Sequence, residues 1–312
     1  MIHQSASAVI LVRPTGFGYD PVTAESNAFQ QVRPDPDVQR KAAEEFDGLL
    51  DALRHAGVTV TVLDPADPTA PNAVFPNNWF STHADGTVVL YPMCAPSRRV
   101  ERDPHLRQRL EQEGGHVRQV LDLSIWEDRN LFLEGTGSLV LDRVHHLAFA
   151  CISPRTSEPA LNAWCEYLGY TPMPFLATMD GTLTGQPVYH TNVVMSIGER
   201  FAVVCLEAMP YPAEREELRT ALAEAGKELI PITLHQMNHF VGNMLQLRGK
   251  GNGGSPAFSI FLSETAFQAL QPDQRLTLLR HGQLVPVPVP TIEAVGGGSV
   301  RCMLAEDLLR GD

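Results

Sequence analysis

The feature that most constrains the fold is one local pattern that occurs five times along the chain. In each copy an amphipathic helical stretch ends at a glycine, where a left-handed helix cap would sit, and a short β-rich run follows. These glycines stand 57, 55, 57 and 56 residues apart, at Gly57, Gly114, Gly169, Gly226 and Gly282. Such regular spacing indicates a single supersecondary unit repeated five times.

Each predicted helix is followed directly by its β-run. The first helix, Val38 to His55, carries its apolar side chains on one face and precedes the run VTVTVL. The other predicted helices are Arg102 to Glu113, Glu158 to Leu168, Ala213 to Ala225 and Gln274 to His281. Their β-runs read HVRQVL, YTPMPF, KELIPI and QLVPVPV.

The two ends of the chain are predicted to complete one unit together. A further pair of apolar stretches follows each β-run except the last, where only Ser299 to Leu304 follows the glycine-rich turn. We expect its partner to be Ala8 to Val12. This pairing would close a ring of five β-α-β-β units without exposed sheet edges. We therefore predict a single α/β domain over residues 1–312, a pseudo-fivefold, five-bladed α/β propeller; an open α/β sheet with coincidental spacing is the alternative.

Composition excludes several classes of partner. The chain has 24 basic and 36 acidic residues, for a formal net charge of −12, so it lacks the basic surface that binds nucleic acid or anionic membranes. No apolar run approaches the ~18 residues of a membrane span, and no basic leader precedes the apolar run Ala6 to Val12. We expect a cytoplasmic protein with a small-molecule substrate; a homo-oligomer remains open.

The five cysteines also exclude two structural roles. They are widely spaced and contain no C-x-x-C pair, which is typical of neither a disulfide framework nor a zinc ribbon. An odd number of cysteines leaves at least one thiol free for chemistry.

One polar residue recurs at the same phase of every unit, where the next strand is predicted to open. These residues are Asn78, Glu134, His190, Asn243 and Cys302, with Asn243 the least regular because its unit is about three residues short. In a ring they would converge on one central cavity. A thiolate attacks carbon efficiently and an imidazole transfers protons near neutral pH, so the set indicates an activated nucleophile. Taken singly, each of these residues could instead be an ordinary packed residue of the core.

Four of the five units carry motifs that resemble the guanidino-group modifying superfamily of deiminases, dihydrolases and amidinotransferases. The motifs are FPNNWFSTHADGT (Phe75 to Thr87), LEGTGSLVLDR (Leu133 to Arg143), YHTNVVM (Tyr189 to Met195) and GGGSVRC (Gly296 to Cys302). They look closest to the citrulline utilization hydrolase and succinylarginine dihydrolase branches. The resemblance implies a five-bladed α/β propeller, pentein-like, and a covalent cysteine mechanism with Cys302, His190 and Glu134 as catalytic residues.

The resemblance also implies a residue for the substrate's carboxylate. The superfamily holds this group with an arginine in a G-x-S-x-R-T-like segment, and CISPRT places Arg155 there. A guanidinium pairs with a carboxylate through two parallel hydrogen bonds. A solvated loop residue is the alternative for Arg155, and Arg98 in APSRR is a second candidate.

Two asparagines favour a neutral substrate group. Asn78 and Asn192 stand where related deiminases and dimethylarginine hydrolases use aspartates to hold the guanidinium cation. Because burying an unpaired cation costs several kcal/mol, the loss of both charges favours a ureido group, whose carbonyl and amine match a carboxamide. Citrulline, which would yield ornithine and carbamate, is such a substrate.

Other functions remain as alternatives. The succinylarginine dihydrolase branch resembles this NNW and HTN pattern, so an arginine derivative could be deiminated or dihydrolysed. Amidino transfer and a propeller that only binds an amino acid are further readings.

For four remaining sequence features we expect no direct part in the chemistry. His235 and His239 lack the glutamate of an HExxH motif and fall where the repeat requires a strand or loop, so neither a metal nor a cofactor is expected. The stretch Gly249 to Pro256 predicts an exposed loop, and Cys94 lies outside the polar phase and is predicted to be structural. The segment Gly16 to Asn27 is a candidate lid, with an ordinary surface connection as the alternative.

Overall fold

Fifteen strands form five three-stranded sheets in the computed structural model, which describes residues 3–251 and 256–310. In chain order the strands are β1 Ala8–Val12, β2 Thr59–Leu63, β3 Phe80–Thr82, β4 Thr87–Leu90, β5 Gln119–Asp122, β6 Val140–Asp142, β7 Leu147–Cys151, β8 Thr171–Phe175, β9 Met195–Ile197, β10 Phe201–Val204, β11 Glu228–Pro231, β12 Leu245–Lys250, β13 Pro256–Ser263, β14 Gln283–Val287 and β15 Ala305–Glu306. The α-helices are α1 Pro21–Ala24, α2 Val38–His55, α3 Leu106–Gln112, α4 Gly135–Ser138, α5 Glu158–Leu168, α6 Thr191–Val194, α7 Pro212–Glu224, α8 Leu234–Met237, α9 Glu264–Ala269 and α10 Pro272–Leu279.

All five sheets have the same topology. The central strands β1, β4, β7, β10 and β13 each pair antiparallel with one neighbour and parallel with the other. The parallel partner always follows a helical connection, as a parallel crossover requires. Along the chain, the two antiparallel strands of a sheet come first, a helical connection follows them, and the parallel strand comes last. This is a circular shift of the predicted β-α-β-β unit.

The first sheet joins the two ends of the chain, as predicted. β1 runs antiparallel to β15, with Val9 opposite Glu306 and Ile10 opposite Ala305. The predicted position of the last strand is wrong, because Val300–Met303 forms a 3-10 turn and the strand begins at Ala305. The N–H of Cys302 donates to the carbonyl of Ser299 at 2.9 Å, which closes this turn.

Each predicted helix is present, and each is followed by its β-run. α2 and α5 have the predicted bounds. α3 begins at Leu106 rather than Arg102, because Pro104 disfavours helical geometry at the residue before it. α10 begins earlier than predicted, at Pro272, since proline is well suited to the first turn of a helix.

Four of the five capping glycines have the expected left-handed backbone, and one does not. The φ angles are 74°, 88°, 72° and 67° at Gly57, Gly114, Gly169 and Gly226. The left-handed prediction is wrong for Gly282. A Cβ at Gly282 would lie 2.8 Å from the carbonyl oxygen of Phe258, so glycine there permits close approach of β13 instead of capping a helix.

His235, Gln236 and Met237 of the HQMNH segment are helical, which contradicts the expectation of a strand or loop, whereas Asn238 and His239 lie in the turn that follows. The Thr233 hydroxyl accepts from the N–H of Gln236, and the Gln236 side chain accepts from the N–H of Thr233, so a capping box begins α8. The rings of His235 and His239 lie 4.3 Å apart. Among residues 3–251 and 256–310, no group of three or more His, Cys, Asp or Glu side chains is arranged to hold a metal.

Both ends of the predicted loop Gly249 to Pro256 belong to strands. Gly249 and Lys250 belong to β12, and Pro256 begins β13. Residues 252–255 of this loop lie outside the described residues. In the described part of the chain, no helix is both long and apolar enough to cross a membrane.

Neighbouring sheets contact each other through their first strands and the turns before them. β15 contacts β3, β3 contacts α4, β6 contacts β9, and β9 contacts β12. The turn Pro76–Asn78 contacts both α4 and the turn Val300–Met303, and α4 contacts α6. The chain segments that carry the predicted site residues therefore meet.

We predict that two capping glycines differ in their tolerance of alanine. Gly226→Ala should lower the free energy of unfolding by about 1 kcal/mol, since a Cβ there meets no atom within 4 Å and only backbone strain is added. Gly57→Ala should cost about 1–3 kcal/mol more, because its Cβ would lie 2.8 Å from the backbone nitrogen of Lys250. Urea denaturation measures both, and equal losses would contradict the packing argument.

Candidate active site

The five recurring polar residues are all buried, and they lie in the turns and helix starts that lead into strands, not in the first position of a strand. Asn78 ends the turn Pro76–Asn78, and Glu134 and His190 are the residues that precede α4 and α6. Asn243 lies two residues before β12, and Cys302 lies in the turn before β15. A turn lets each side chain leave the strand direction and reach its neighbours from other units.

Glu134 and His190 form a hydrogen-bonded pair. His190 Nε2 lies 2.8 Å from Glu134 Oε2, and the other carboxylate oxygen accepts from the N–H of Cys94 at 3.0 Å. Glu134 has no solvent exposure. Both carboxylate oxygens therefore hold protein groups, and Cys94 contributes through its backbone. Burial and the nearby Glu134 charge raise the pKa of the Cys94 thiol.

The charge states of this pair follow from their surroundings. Burial opposes ionisation of Glu134, but the Arg155 guanidinium and the His190 hydrogen bond lower its pKa to about 2. Burial lowers the pKa of His190 to about 4 against the opposing effect of Glu134. At neutral pH Glu134 is a carboxylate and His190 is neutral. The Nε2 proton of His190 then points to Glu134, which leaves Nδ1 as a proton acceptor.

Two carboxamides donate to the sulfur of Cys302. Asn192 Nδ2 lies 3.5 Å from Sγ, and Asn243 Nδ2 lies 3.3 Å from it. The N–H of Arg301 donates to Asn243 Oδ1 at 3.0 Å, so the Asn243 amide must direct its nitrogen towards the sulfur. Asn243, the least regular position in the sequence, therefore lies in direct contact with Cys302.

Arg98 determines the orientation of Asn78. Its Nη1 donates to Asn78 Oδ1 at 2.7 Å, while Nε and Nη2 each donate to Glu101 at 2.8 Å. An arginine has only donors, so the Asn78 oxygen must face it. Asn78 Nδ2 is left buried without a hydrogen-bond partner, as is Asn192 Oδ1. The site thus presents one free donor and one free acceptor.

Arg155 is buried beside the catalytic pair. Its Nη1 lies 3.6 Å from Glu134 Oε2, and its guanidinium stacks over the Tyr189 ring at 5.0 Å. Two of its nitrogens donate to the candidate lid, at the hydroxyl of Ser26 and the carbonyl of Thr23. The alternative of a solvated loop residue is therefore wrong.

A small cavity lies among these groups. Its volume is about 20 Å³, room for one or two water molecules. The lining residues come from the first hundred residues, the middle and the C-terminal end of the chain: Thr23, Asn27, Asn72, Phe75, Asn78, Arg98, Arg155, Tyr189, His190, Gly296, Gly297, Gly298 and Cys302.

The candidate lid covers this cavity. It contains the short helix α1, and Asn27 Nδ2 donates to the carbonyl of Gly297 at 3.2 Å. The hydroxyl of Tyr189 donates to the same carbonyl at 2.6 Å. The sequence did not predict Asn27, Thr23 or Tyr189 as lining residues, because none of them lies at the repeated polar phase.

Gly137 is another residue that the sequence did not single out, although it lies within the GTGS motif. A Cβ at this position would collide with Asn78 Nδ2 and lie 2.8 Å from His190 Nδ1. Glycine at 137 therefore keeps the free Asn78 donor and the free imidazole nitrogen close together.

Three solved structures show the same fold as this chain. A cysteine-to-serine variant of the N-terminal domain of ArgZ, a cyanobacterial arginine dihydrolase bound to its substrate, has a TM-score of 0.74 at 16% identity and covers 95% of this chain and 96% of that one. Unliganded AgrE gives 0.75 at 16% identity over 95% of this chain and 38% of its own. A cysteine-to-serine variant of DDAH from Pseudomonas aeruginosa, complexed with citrulline, gives 0.65 at 15% identity over 96% and 99%.

Comparison of sequences gives the family itself. Among curated proteins none matches this chain. The profile of the family described as N,N dimethylarginine dimethylhydrolase, eukaryotic, matches residues 13–309. The chain therefore belongs to this family of guanidino-modifying enzymes, which are cysteine-dependent C–N bond hydrolases.

Proposed function

We propose that this enzyme hydrolyses the ureido group of citrulline or a close relative. The observation that carries the proposal is the orientation of Asn78: Arg98 holds its oxygen, so an unpartnered N–H faces the substrate. A ureido carbonyl accepts such a hydrogen bond. A guanidinium has only donors, so it would leave this buried N–H unsatisfied, at a cost of about 1–3 kcal/mol.

The charges around the cavity support the same substrate class. Arg98 and Arg155 line it, and the carboxylates of Glu101 and Glu134 are already bound to protein donors. A cationic guanidinium would add a third positive charge to this buried region. A neutral ureido group avoids that repulsion, and its NH₂ can donate to the free Asn192 Oδ1.

The first half of the proposed reaction transfers a carbamoyl group to sulfur. His190 Nδ1 takes the thiol proton of Cys302, and Sγ bonds to the ureido carbon while Asn78 donates to the developing oxyanion. The imidazolium then returns its proton to the substrate nitrogen as the C–N bond breaks. The free amine leaves, and an S-carbamoyl group remains on Cys302. Glu134 stabilises the transient imidazolium and is a positioning residue.

The second half releases the carbamoyl group. His190 accepts a proton from water, and the hydroxide oxygen bonds to the thioester carbon as the C–S bond breaks. The imidazolium proton returns to the sulfur, and Asn192 and Asn243 stabilise that sulfur while it carries negative charge. The products from citrulline are ornithine and carbamate.

Substrate entry requires the segment from Gly16 to Asn27 to move. The cavity is too small for an amino acid, and hydrogen bonds such as Asn27 to Gly297 hold the segment over it. Movement would also release the Arg155 donors from Thr23 and Ser26. The same donors are then available to the substrate carboxylate, the role predicted for Arg155.

We further infer that the five sheets form one closed ring, a five-bladed propeller that is a single catalytic domain. The inference is supported by the pairing of β1 with β15 and by contacts from each sheet to the next: β15 to β3, β3 to α4, β6 to β9, β9 to β12, and β13 to the Val300–Met303 turn. A cytoplasmic location and a homo-oligomeric state stay predictions from the sequence.

A second candidate function is hydrolysis of an arginine derivative. It is favoured by the fold shared with the substrate-bound arginine dihydrolase and by the family match to dimethylarginine dimethylhydrolases. In that reaction the first leaving group would be ammonia or a methylated amine from the guanidino carbon.

We predict that purified enzyme converts citrulline to ornithine and turns over arginine and N,N-dimethylarginine at least about 10-fold more slowly in kcat/KM, the penalty expected for an unpaired buried donor. Ornithine, ammonia and dimethylamine are quantified for each substrate. Cys302→Ser should lose turnover by about 10³-fold or more, because the serine hydroxyl ionises far less readily. Turnover of arginine without turnover of citrulline would replace this proposal with the second candidate.

We predict that the double change Asn78→Asp with Asn192→Asp depresses citrulline turnover and improves relative binding of arginine, by about 10-fold or more in their ratio. Carboxylates at these positions attract a cation and repel a carbonyl oxygen. The comparison is repeated at higher pH, where buried carboxylates are ionised. Asn238→Asp is the charge control, since Asn238 is exposed. An unchanged substrate preference in the double variant would contradict the role of the asparagines.

We predict that kcat/KM falls as the pH drops through about 4, the pKa of His190. Only the neutral imidazole can accept the Cys302 proton, so activity is present above this pKa and lost below it. Glu134→Gln should shift this acid limb to lower pH, since the carboxylate raises the His190 pKa, and should lower kcat. Circular dichroism at each pH separates unfolding from titration. An acid limb near the ordinary histidine value of about 6.5 would contradict this assignment.

A further inference from the structure

We propose that a second buried cavity binds a small monovalent anion of about the size of chloride. Residues next to or shortly after the site residues in the sequence line it, including Arg143, Ser196, Gln246, Arg301 and Glu306. Neither Cys302, His190 nor Glu134 lines it. This cavity is distinct from the one that holds the substrate.

The cavity carries more positive than negative charge. Arg143 Nη2 lies 3.1 Å from Glu306 Oε2, and Arg301 Nη2 lies 3.3 Å from the same oxygen. The side chains of all three residues are 5–8% exposed. Two buried guanidiniums thus share one carboxylate, and an unpaired buried charge is costly unless a counter-ion is present.

Three titratable groups near the cavity add no free negative charge. Burial and the Arg143 charge lower the pKa of His83 to about 3, and burial raises the pKa of Tyr170, so both are neutral. Asp142 is bound to Lys227, whose Nζ lies 3.2 Å away.

The nearby amides are also occupied. Gln4 Oε1 accepts from the N–H of Arg143, and Gln246 Oε1 accepts from Ser5 and from the N–H of Glu199. Among the residues that line the cavity, Arg143 and Arg301 therefore face a single carboxylate, that of Glu306.

A free hydroxyl supplies a further donor. Ser196 Oγ lines the cavity, is buried, and has no hydrogen-bond partner. A hydroxyl and two guanidiniums around one space are suited to an anion. The volume of about 30 Å³ admits two or so water-sized particles, which suits a monatomic anion and excludes sulfate or an amino acid.

An anion here would act on the segment that holds the nucleophile. Arg301 precedes Cys302 on the Val300–Met303 turn, and its Nη1 donates to the carbonyl of Leu304 at the end of that turn. Compensating the Arg301 charge stabilises this turn. The proposal is independent of the substrate, because it rests on residues outside the substrate cavity.

The test compares melting temperatures of the full chain in sodium chloride and in sodium gluconate at equal ionic strength. Gluconate is too large for the cavity. A bound anion at about 100 times its dissociation constant should raise the melting temperature by about 3 °C or more. The ³⁵Cl NMR line should also broaden with protein and sharpen when bromide competes. Identical melting in both salts, together with no line broadening, would overturn the proposal, as would stabilisation by sulfate alone.

Two variants and one control assign the response to this cavity. Ser196→Ala should raise the chloride concentration for half-maximal stabilisation by about 10- to 100-fold, the usual value of one hydrogen bond to a charge. Arg301→Gln leaves Arg143 and Glu306 as a matched pair and should abolish the response. Ser259→Ala, a buried serine on β13, should respond as wild type does. A full chloride response in Arg301→Gln would place the anion elsewhere and overturn the proposal.

Discussion

The structure depends on the burial of polar side chains at the place where the five turns meet. Such groups are stable only when each has a partner, since an unpartnered buried polar group costs about 1–3 kcal/mol. Backbone N–H groups hold Glu134 and Asn243, and guanidiniums hold Asn78 and Glu134. In Asn78 and Asn192 the atoms left without partners are Asn78 Nδ2 and Asn192 Oδ1.

Two arginines determine the orientation and charge of their neighbours, because an arginine side chain can only donate hydrogen bonds. Arg98 fixes the Asn78 amide, and Arg155 keeps Glu134 ionised while it holds the segment over the cavity. Each of these arginines is itself neutralised or stacked, by Glu101 and by Tyr189 respectively. The orientation and charge of the site residues thus depend on their own partners as much as on the residues themselves.

The two cavities differ in the number of carboxylates that accompany their guanidiniums. In the cavity beside Cys302, Arg98 and Arg155 each have a carboxylate close by, that of Glu101 and that of Glu134. In the cavity of Arg143 and Arg301 a single carboxylate serves two guanidiniums. Both cavities border the Val300–Met303 turn, which carries Arg301 towards one and Cys302 towards the other.

Periodicity in the sequence predicted the helices, the strands that follow them and the pairing of the two chain ends, because amphipathic helices and glycine caps are local features. It also predicted the convergence of Cys302, His190, Glu134 and Asn243, since equivalent positions of a repeat occupy equivalent places. Local patterns misplaced the last strand and missed α8, where a turn or a capping box overrode the expected spacing.

Only the tertiary structure decided which atoms of those residues are free. The orientation of Asn78 depends on Arg98, twenty residues further along the chain, and the lining by Thr23 and Asn27 depends on a segment from another unit. The lowered pKa of His190 arises from burial, which the residues next to it in the sequence do not predict. The sequence alone determined the residue types and their phase, while hydrogen-bond direction and desolvation depend on contacts between units that no local pattern encodes.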